Sequence, residues 1–297
     1  MKLLIYGSRG WIGSYITDYI NKNTSNEIII ANARADNVID VKAELDNWNP
    51  THVLCMVGRT YGPGCNSIDY LEQPGKLVEN VRDNLWGPIS LAMLCKERNI
   101  HLTYLGTGCI FSTPEDIIPD ISYDEEALPD FFGSSYSVVK GFTDRFMHSD
   151  LIKDTVLNVR IRMPISDEIH PRNFITKIVS YDKICSIPNS MTVLSTLVPA
   201  MVDMMEKSFV GTINLANPGV ISHNEILEYY RLIVDPEFTW NNFTIDEQDQ
   251  ILKSKRSNNQ LNTDKLISMY PTILPINEAV KMALINMAAN KYKNKTK

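Results

Sequence analysis

The residues able to move protons sit in two short stretches. In Thr107-Gly108-Cys109-Ile110-Phe111 a hydroxyl and a thiol lie two apart, where the apolar run His101-Leu-Thr-Tyr-Leu-Gly106 reaches its C-terminal end. Side chains two apart on a strand point the same way. In Tyr136-Ser-Val-Val-Lys140 a phenol and an ammonium lie four apart, stacked on one face of a helix. A hydroxyl, a thiol, a phenol and an amine converging on one cleft would make a catalytic apparatus.

The elements that must position these groups begin at the first residues. Lys2 to Tyr6 reads as a strand, followed by Gly7-Ser8-Arg9-Gly10-Trp11-Ile12-Gly13 and a helical pattern through Ile12, Ile16, Tyr19 and Ile20. Strand, glycine loop and helix in this order form a dinucleotide site. The first glycine permits the tight turn, the second lets backbone approach a pyrophosphate, and the third allows close helix–strand packing. Glu27 to Ala31 is a second strand, which ends in Asn32-Ala33-Arg34 rather than in the acidic residue that suits NAD. Arg34 and Arg9 suit a 2′-phosphate, so NADPH is expected, with NADH as the alternative. Val38-Ile39-Asp40-Val41 reads as a short third strand whose Asp40 could accept from the adenine amine.

Thr51 to Val57 is a fourth strand, and His101 to Thr107 a fifth. Thr155 to Pro164 is a sixth, with Arg160 and Arg162 near its exit, and Gly211 to Ala216 is the last. Helical patterns between strands imply βαβ units: an α/β fold, a Rossmann-type doubly wound parallel sheet with a smaller C-terminal substrate-binding lobe. Ligands gather beyond the C-terminal strand ends. There Val57 and Gly58 would meet the cofactor and Thr60 the substrate. Residues 1–157 would form the cofactor domain and 158–297 mostly the lobe, with 211–232 returning to the sheet. Pro171–Lys177 and Ile187–Val193 are turn-rich segments of that lobe. Ser222-His-Asn-Glu225 fits a capping box, residues 113–129 form an acidic solvated loop, and the tail from Asn290 should fray.

The net charge of −6 argues against a nucleic-acid or anionic-membrane partner. No apolar run is long enough to span a bilayer. The five cysteines are scattered and contain no C-x-x-C pair, so reduced thiols in a cytoplasmic protein are expected (host cytoplasm, if the source is viral), and no metal site. Cys55, Cys95 and Cys185 sit among apolar neighbours and read as core residues.

With Gly7-x-x-Gly10-x-x-Gly13, Thr107 and Tyr136-x-x-x-Lys140 on one chain, the sequence resembles an extended short-chain dehydrogenase/reductase. Arg256-Ser-Asn-Asn-x-Leu261-x-x-x-Lys265 resembles the C-terminal signature of dTDP-4-keto-rhamnose reductases. Over longer stretches the chain resembles the bifunctional UDP-4-keto-6-deoxy-D-glucose 3,5-epimerase/4-reductases of plants, the nucleotide-rhamnose synthases. Those stretches include Thr107-Gly-Cys-Ile-Phe111, Arg162-Met-Pro-Ile-Ser166, Pro171-Arg-Asn-Phe-Ile-Thr-Lys177 and Ile187-Pro-Asn-Ser-Met-Thr-Val-Leu194. The resemblance covers nearly the whole chain and departs from the plant pattern between Asn66 and Val81.

The resemblance implies conversion of UDP-4-keto-6-deoxy-D-glucose to UDP-L-rhamnose by double epimerisation and NADPH-dependent reduction. Tyr136 would be the acid, with Lys140 lowering its pKa and holding the nicotinamide ribose, and Thr107 would hydrogen-bond the carbonyl oxygen. Cys109 and Lys177 match the epimerisation pair, and the spacing does not say which takes the first proton. Arg162, Asn173, Arg256, Asn258 and the Asn189–Val193 segment would hold the nucleotide sugar. A separate 4,6-dehydratase would supply the substrate, UDP or dTDP, and a homodimer is expected. A reductase acting alone and a non-catalytic regulatory subunit of the same fold are the alternatives.

Overall fold

The computed structural model describes residues 1–118 and 120–295. Six parallel strands form the central sheet: β1 (Lys2–Tyr6), β2 (Glu27–Ile30), β3 (His52–Cys55), β4 (His101–Thr107), β5 (Val156–Ile161) and β6 (Gly211–Asn214). Their spatial order is β2-β1-β3-β4-β5-β6, so the direction of winding reverses beside β1. The expected doubly wound parallel sheet is present. A division between residues 157 and 158 would cut β5, and β6 returns to the sheet from the far side of the lobe.

Period-2 alternation sorts the strand side chains into two cores. Leu3, Ile5, Leu54, Leu157, Val159 and Ile213 pack on one face with helices α1 (Trp11–Asn23) and α6 (Leu194–Glu206). Leu4, Tyr6, Val53, Cys55, Leu102 and Tyr104 pack on the other, with α2 (Val38–Trp48), α3 (residues 77–97) and α4 (Ser135–Met147). Each fully buried aliphatic side chain contributes about 1.5–3 kcal/mol, so the two cores dominate stability. Helix α3 runs from Leu77–Val81 through a π-type turn at Arg82–Trp86 into Gly87–Glu97.

The expected third strand is a correction. Val38 to Val41 is the first turn of α2, capped by the Asn37 side chain, which accepts from the Asp40 amide at 3.3 Å. Only Val41 and Leu45 of α2 are buried, four apart, while Ile39 is solvent-exposed. Four branched or acidic residues are too few to separate a strand from a helical turn, and the cap decides it. β2 is therefore the sheet edge, and Asp40 lies on an exposed helical turn, accepting from Asn37 Nδ2 at 2.5 Å, rather than at a strand end.

The lobe has its own core. Ile165, Ile175, Met191, Val193, Ile226 and Leu227 pack against the stripe Ile276, Ala279, Val280, Ala283, Leu284 and Met287 of the last helix. That stripe follows i, i+3, i+4, i+7 spacing on Ile276–Lys295. Two segments expected as turn-rich are partly regular: α5 (Phe174–Val179), and Thr192–Val193, which pairs with Pro164–Ile165. The capping box at Ser222 is present at the start of α7 (His223–Ile233). Within the acidic loop, Ser122–Tyr123 pairs with Gln260–Leu261. The tail expected to fray from Asn290 continues the last helix to Lys295, and residues 119, 296 and 297 lie outside the described residues. Among the described residues no helix is long and apolar enough to cross a membrane.

Candidate active site

The glycine loop is built as its spacing predicts. Gly7 has φ +89°, and a Cβ there would meet the Met56 carbonyl carbon at 2.7 Å. A Cβ on Gly13 would lie 2.1 Å from Gly7 O, so α1 can approach the loop only without a side chain at this position. At Gly10 a Cβ would meet only Gly7 O, at 3.5 Å, which leaves its outer face open for a phosphate to approach the backbone. Two positions closed by backbone and one left open at a helix N-terminus fit a dinucleotide pyrophosphate. Trp11, at the start of α1, stacks on His170 of the lobe with ring centroids 5.4 Å apart, and Ile12 packs into the core beneath.

Beyond β3, Val57 and Gly58 lead into a loop held by α3. Asn84, buried in the π-type turn, accepts from the Arg59 amide and donates to the Arg59 carbonyl, both at 2.8 Å. A π-type turn inside a helix re-aims side chains by a fraction of a turn, and here it turns Asn84 onto the loop. Asp83 beside it binds Arg59 at 2.5 Å and Arg34 at 3.4 Å. Arg34 also pairs with Asp36 at 3.0 Å, so this exposed guanidinium carries two carboxylates.

Thr107 ends β4, and its Oγ1 accepts from the Cys109 amide at 3.1 Å. The hydroxyl proton is thus free to donate into the cleft. Helix α4 starts at a Ser134 cap, whose side chain accepts from the Ser137 amide at 3.0 Å, and this sets the height of Tyr136. Cys109 and Tyr136 line one cavity of about 400 Å³, together with Asp69, Phe174, Tyr181, His223, Phe243, Arg256 and Asn258. Burial and the neighbouring Cys109 push the Tyr136 phenol up, against a hydrogen bond from Thr107 that pulls it down. Lys140, one turn on, is buried and donates to Tyr104 OH, with Nζ 4.6 Å from that ring's centre, and it is not among the groups that lower Tyr136. Burial brings Lys140 itself down to about 8.

Lys177 lies on α5. Burial, then the charges of Arg172 and Arg256, lower it to about 8. Arg172 donates to Thr60 Oγ1 at 2.6 Å and sits 3.7 Å from the centre of the Tyr61 ring. Thr60 therefore positions Arg172. Arg256 faces the cavity and binds Asp69 at 2.6 Å. Burial of Asp69 opposes ionisation, but hydrogen bonds from Arg256, Ser67 and Ser254 prevail and hold its carboxyl at about 2.

Four residues expected to touch substrate serve the framework instead. Asn173 is fully buried as the cap of α5 and donates to Ser166 O at 2.9 Å and Glu168 O at 2.7 Å. Asn189 accepts from Arg162 and from the Asn259 amide, and donates to Asn258 Oδ1 at 3.0 Å. Val193 is fully buried, and its amide donates to Asn217 Oδ1 at 2.9 Å. Arg162, 1% exposed, lies behind Cys109, with Nη1 3.7 Å from the thiol sulfur.

Within the C-terminal signature Arg256, Ser257 and Asn258 line the cavity, while Asn259 is buried and donates to Gly108 O at 3.0 Å and Phe111 O at 2.8 Å. Ser257 adds a bond to Phe111 O at 2.5 Å, and Leu261 packs so tightly that a Cβ on Gly108 would lie 2.8 Å from it. A segment some 150 residues away thus clamps the backbone that presents Thr107 and Cys109. Asp69, Tyr181 and Phe243 carried no signal in sequence, and Arg172 and His223 lie in stretches singled out for other reasons; tertiary folding brings all five to the site.

Comparison with known proteins agrees with this geometry. A family model described as the NAD dependent epimerase/dehydratase family matches residues 3–179. The L780 protein of Acanthamoeba polyphaga mimivirus is 51% identical over 288 residues, 97% of this chain and 99% of L780. The crystal structure of L780, described as a UDP-rhamnose synthase, superposes with a TM-score of 0.93 over 97% of this chain and 99% of that one. A bifunctional dTDP-4-dehydrorhamnose 3,5-epimerase/dTDP-4-dehydrorhamnose reductase of Arabidopsis thaliana is 38% identical over 93% of this chain and 90% of its own length. A trifunctional Arabidopsis UDP-glucose 4,6-dehydratase/3,5-epimerase/reductase is also 38% identical, and the chain spans 41% of it. The chain belongs to the NAD dependent epimerase/dehydratase family.

Proposed function

We propose that the protein is a nucleotide-sugar 3,5-epimerase/4-reductase that forms UDP-L-rhamnose from UDP-4-keto-6-deoxy-D-glucose. The observation that carries this reading is the shared cavity of Cys109 and Tyr136, with Thr107 Oγ1 accepting from the Cys109 amide. A ketone reductase needs the phenol and the hydroxyl but has no use for the thiol. Identity to the mimivirus UDP-rhamnose synthase and to the plant bifunctional enzyme supports the same activity.

C3 and C5 both flank the C4 ketone, so their protons are acidic and each can leave one face and return on the other. Cys109 as thiolate takes a ring proton: the C–H bond breaks, S–H forms, and the electron pair moves onto the C4 oxygen. Thr107 donates its hydroxyl to that oxygen as charge develops. Lys177, at about 8, still carries its proton at neutral pH and returns one to the opposite face. The electron pair then flows back from the enolate to carbon. Solvent exchange resets the thiol and amine.

For reduction, a nicotinamide held at the glycine loop would supply the hydride that C4 needs. Tyr136 gives its proton to the alkoxide oxygen, and its burial, which keeps the phenol protonated, suits a donor. Lys140, released from Tyr104, holds the nicotinamide ribose. NADPH is the proposed cofactor, with Arg9 and Arg34 at the 2′-phosphate. Arg34 would exchange its two carboxylates for that group. Arg256 and Asn258 face the diphosphate and sugar, and Arg172 and Lys177 add positive charge nearby. A 4,6-dehydratase supplies the keto-sugar. Exposed Val78, Trp86 and Met93 on α3 and Phe142 on adjacent α4 are the proposed contact between two copies.

Incubation with UDP-4-keto-6-deoxy-glucose and NADPH in deuterated water tests the reading. Rhamnose carrying deuterium at C3 and C5 is the expected product. Reduction without wash-in would leave a reductase alone, and no cofactor oxidation would sink every enzymatic reading.

A further inference from the structure

Arg162 is a buried cation whose partners leave its charge uncompensated. It is 1% exposed, and its guanidinium reaches Gly108 O at 3.2 Å, Ser257 Oγ at 2.9 Å, Ser257 O at 2.6 Å and Asn189 Oδ1. All four are neutral acceptors, and Nε has no partner at all. Among the described residues no carboxylate lies within 4.0 Å of it, whereas Arg160, two positions earlier and equally buried, is matched by Asp144 at 2.7 Å. The remaining contact is Nη1 to Cys109 Sγ at 3.7 Å. Guanidinium does not shed its proton in proteins, so a buried one calls for an anion.

We propose that Cys109 supplies that anion: Arg162 is the resident counter-ion of the Cys109 thiolate and a positioning residue for epimerisation. The inference rests on the reading of Cys109 as the group that takes the ring proton. Arg162 never meets substrate. Cys109 lines the cavity and Arg162, 1% exposed, is not among the lining residues, which leaves the cavity face of the thiol to the ring C–H. The other titratable groups around the thiol fit a negative sulfur. Burial lowers Lys140, on α4, against smaller opposing contributions from Cys55, Asp144 and Cys109, and burial with Cys109 keeps Tyr136 protonated. His223, from α7, is kept neutral by burial, with the Arg162 charge acting in the same direction. Asp69, the carboxylate lining the same cavity, is engaged by Arg256. Asn189, Ser257 and Asn259 hold the guanidinium and the Gly108 carbonyl in place, which gives the lobe's buried asparagines a role in the chemistry.

Alkylation of Cys109 is the test, followed by peptide mass mapping, with negatively charged iodoacetate and neutral iodoacetamide at pH 7. In the wild type Cys109 should react faster than the other four cysteines, and iodoacetate should be favoured relative to free cysteine. In Arg162→Met the Cys109 rate should fall at least tenfold and the preference for iodoacetate should vanish. Arg162→Lys, which keeps the charge, should retain that preference and part of the rate. A wild-type Cys109 that reacts no faster than Cys65 overturns the proposal whether or not the variants fold. So does an unchanged rate and reagent ratio in a folded Arg162→Met. Arg162→Met should also slow deuterium wash-in at least tenfold while sparing reduction of already epimerised substrate, and Arg162→Lys should restore part of the wash-in. Fast, Arg162-dependent alkylation without any wash-in would leave the ion pair standing and refute the epimerase reading instead.

Discussion

Removing the Asp144 carboxylate should unseat the helix that carries Tyr136 and Lys140. Arg160 and Asp144 are 1% and 3% exposed and meet through two parallel bonds, Nε to Oδ1 at 2.9 Å and Nη2 to Oδ2 at 2.7 Å. Asn158 adds a third bond to the same carboxylate at 2.9 Å. After Asp144→Ala the guanidinium keeps only the carbonyls of Asp124 at 3.1 Å and Ala127 at 3.3 Å, and no counter-charge. Stranding a buried charge in this way costs about 3–5 kcal/mol. Set against a total stability of about 5–15 kcal/mol, the loss is large. It corresponds to a fall in Tm on the order of 10 °C. Urea and thermal unfolding followed by circular dichroism measure it. Asp144→Leu with Arg160→Met, which removes both charges, should recover most of the loss, and Asp154→Ala, at an exposed pair with Lys96, is the control. A loss below about 1 kcal/mol for Asp144→Ala, the value of an exposed pair, would refute the reasoning.

Tyr136→Phe should lose reduction by at least a hundredfold, roughly the contribution of one general acid, while wash-in at C3 and C5 continues. Loss of both activities would mean that the phenol serves the epimerisation too. Lys177 loses its proton through about pH 8, so wash-in should decline above that pH, and Lys177→Arg should move the decline upward while lowering the rate. Gly13→Ala should abolish dinucleotide binding by calorimetry, because its Cβ would strike the Gly7 carbonyl, whereas Gly10→Ala should fold normally and bind more weakly. Burial, with the charge of His101 adding to it, brings His52 down to about 4. Its unfolded value is about 6.5, so the unfolded chain binds the extra proton first. Stability should therefore fall as pH drops from about 6.5 to about 4, and His52→Gln should flatten that slope in pH-dependent unfolding.

Local patterns in the sequence determined most of the sheet and the glycine loop. The glycine spacing dictates its own loop, since backbone lies where a Cβ would go at Gly7 and Gly13. Tyr136 and Lys140 lie four apart on α4 as their spacing implies, whereas Cys109 sits in the turn after β4, beyond the strand period that linked it to Thr107. The third strand failed because Val38 to Val41 is too short to show a period, and the Asn37 cap outweighs its β propensity. Only the tertiary structure could separate polar residues that face the cavity from those that hold it. Asn173, Asn189 and Arg162 carry ligand-like side chains, yet they are buried and hydrogen-bonded to the framework. Whether an arginine meets a substrate, a carboxylate or a thiol depends on what the chain brings to it from far away. Arg160 meets Asp144 from α4; Arg162 meets Cys109, 53 residues earlier in the chain, and stands on a Ser257 carbonyl 95 residues later. Helix and strand periods act over a few residues, and contacts at those separations lie beyond their reach.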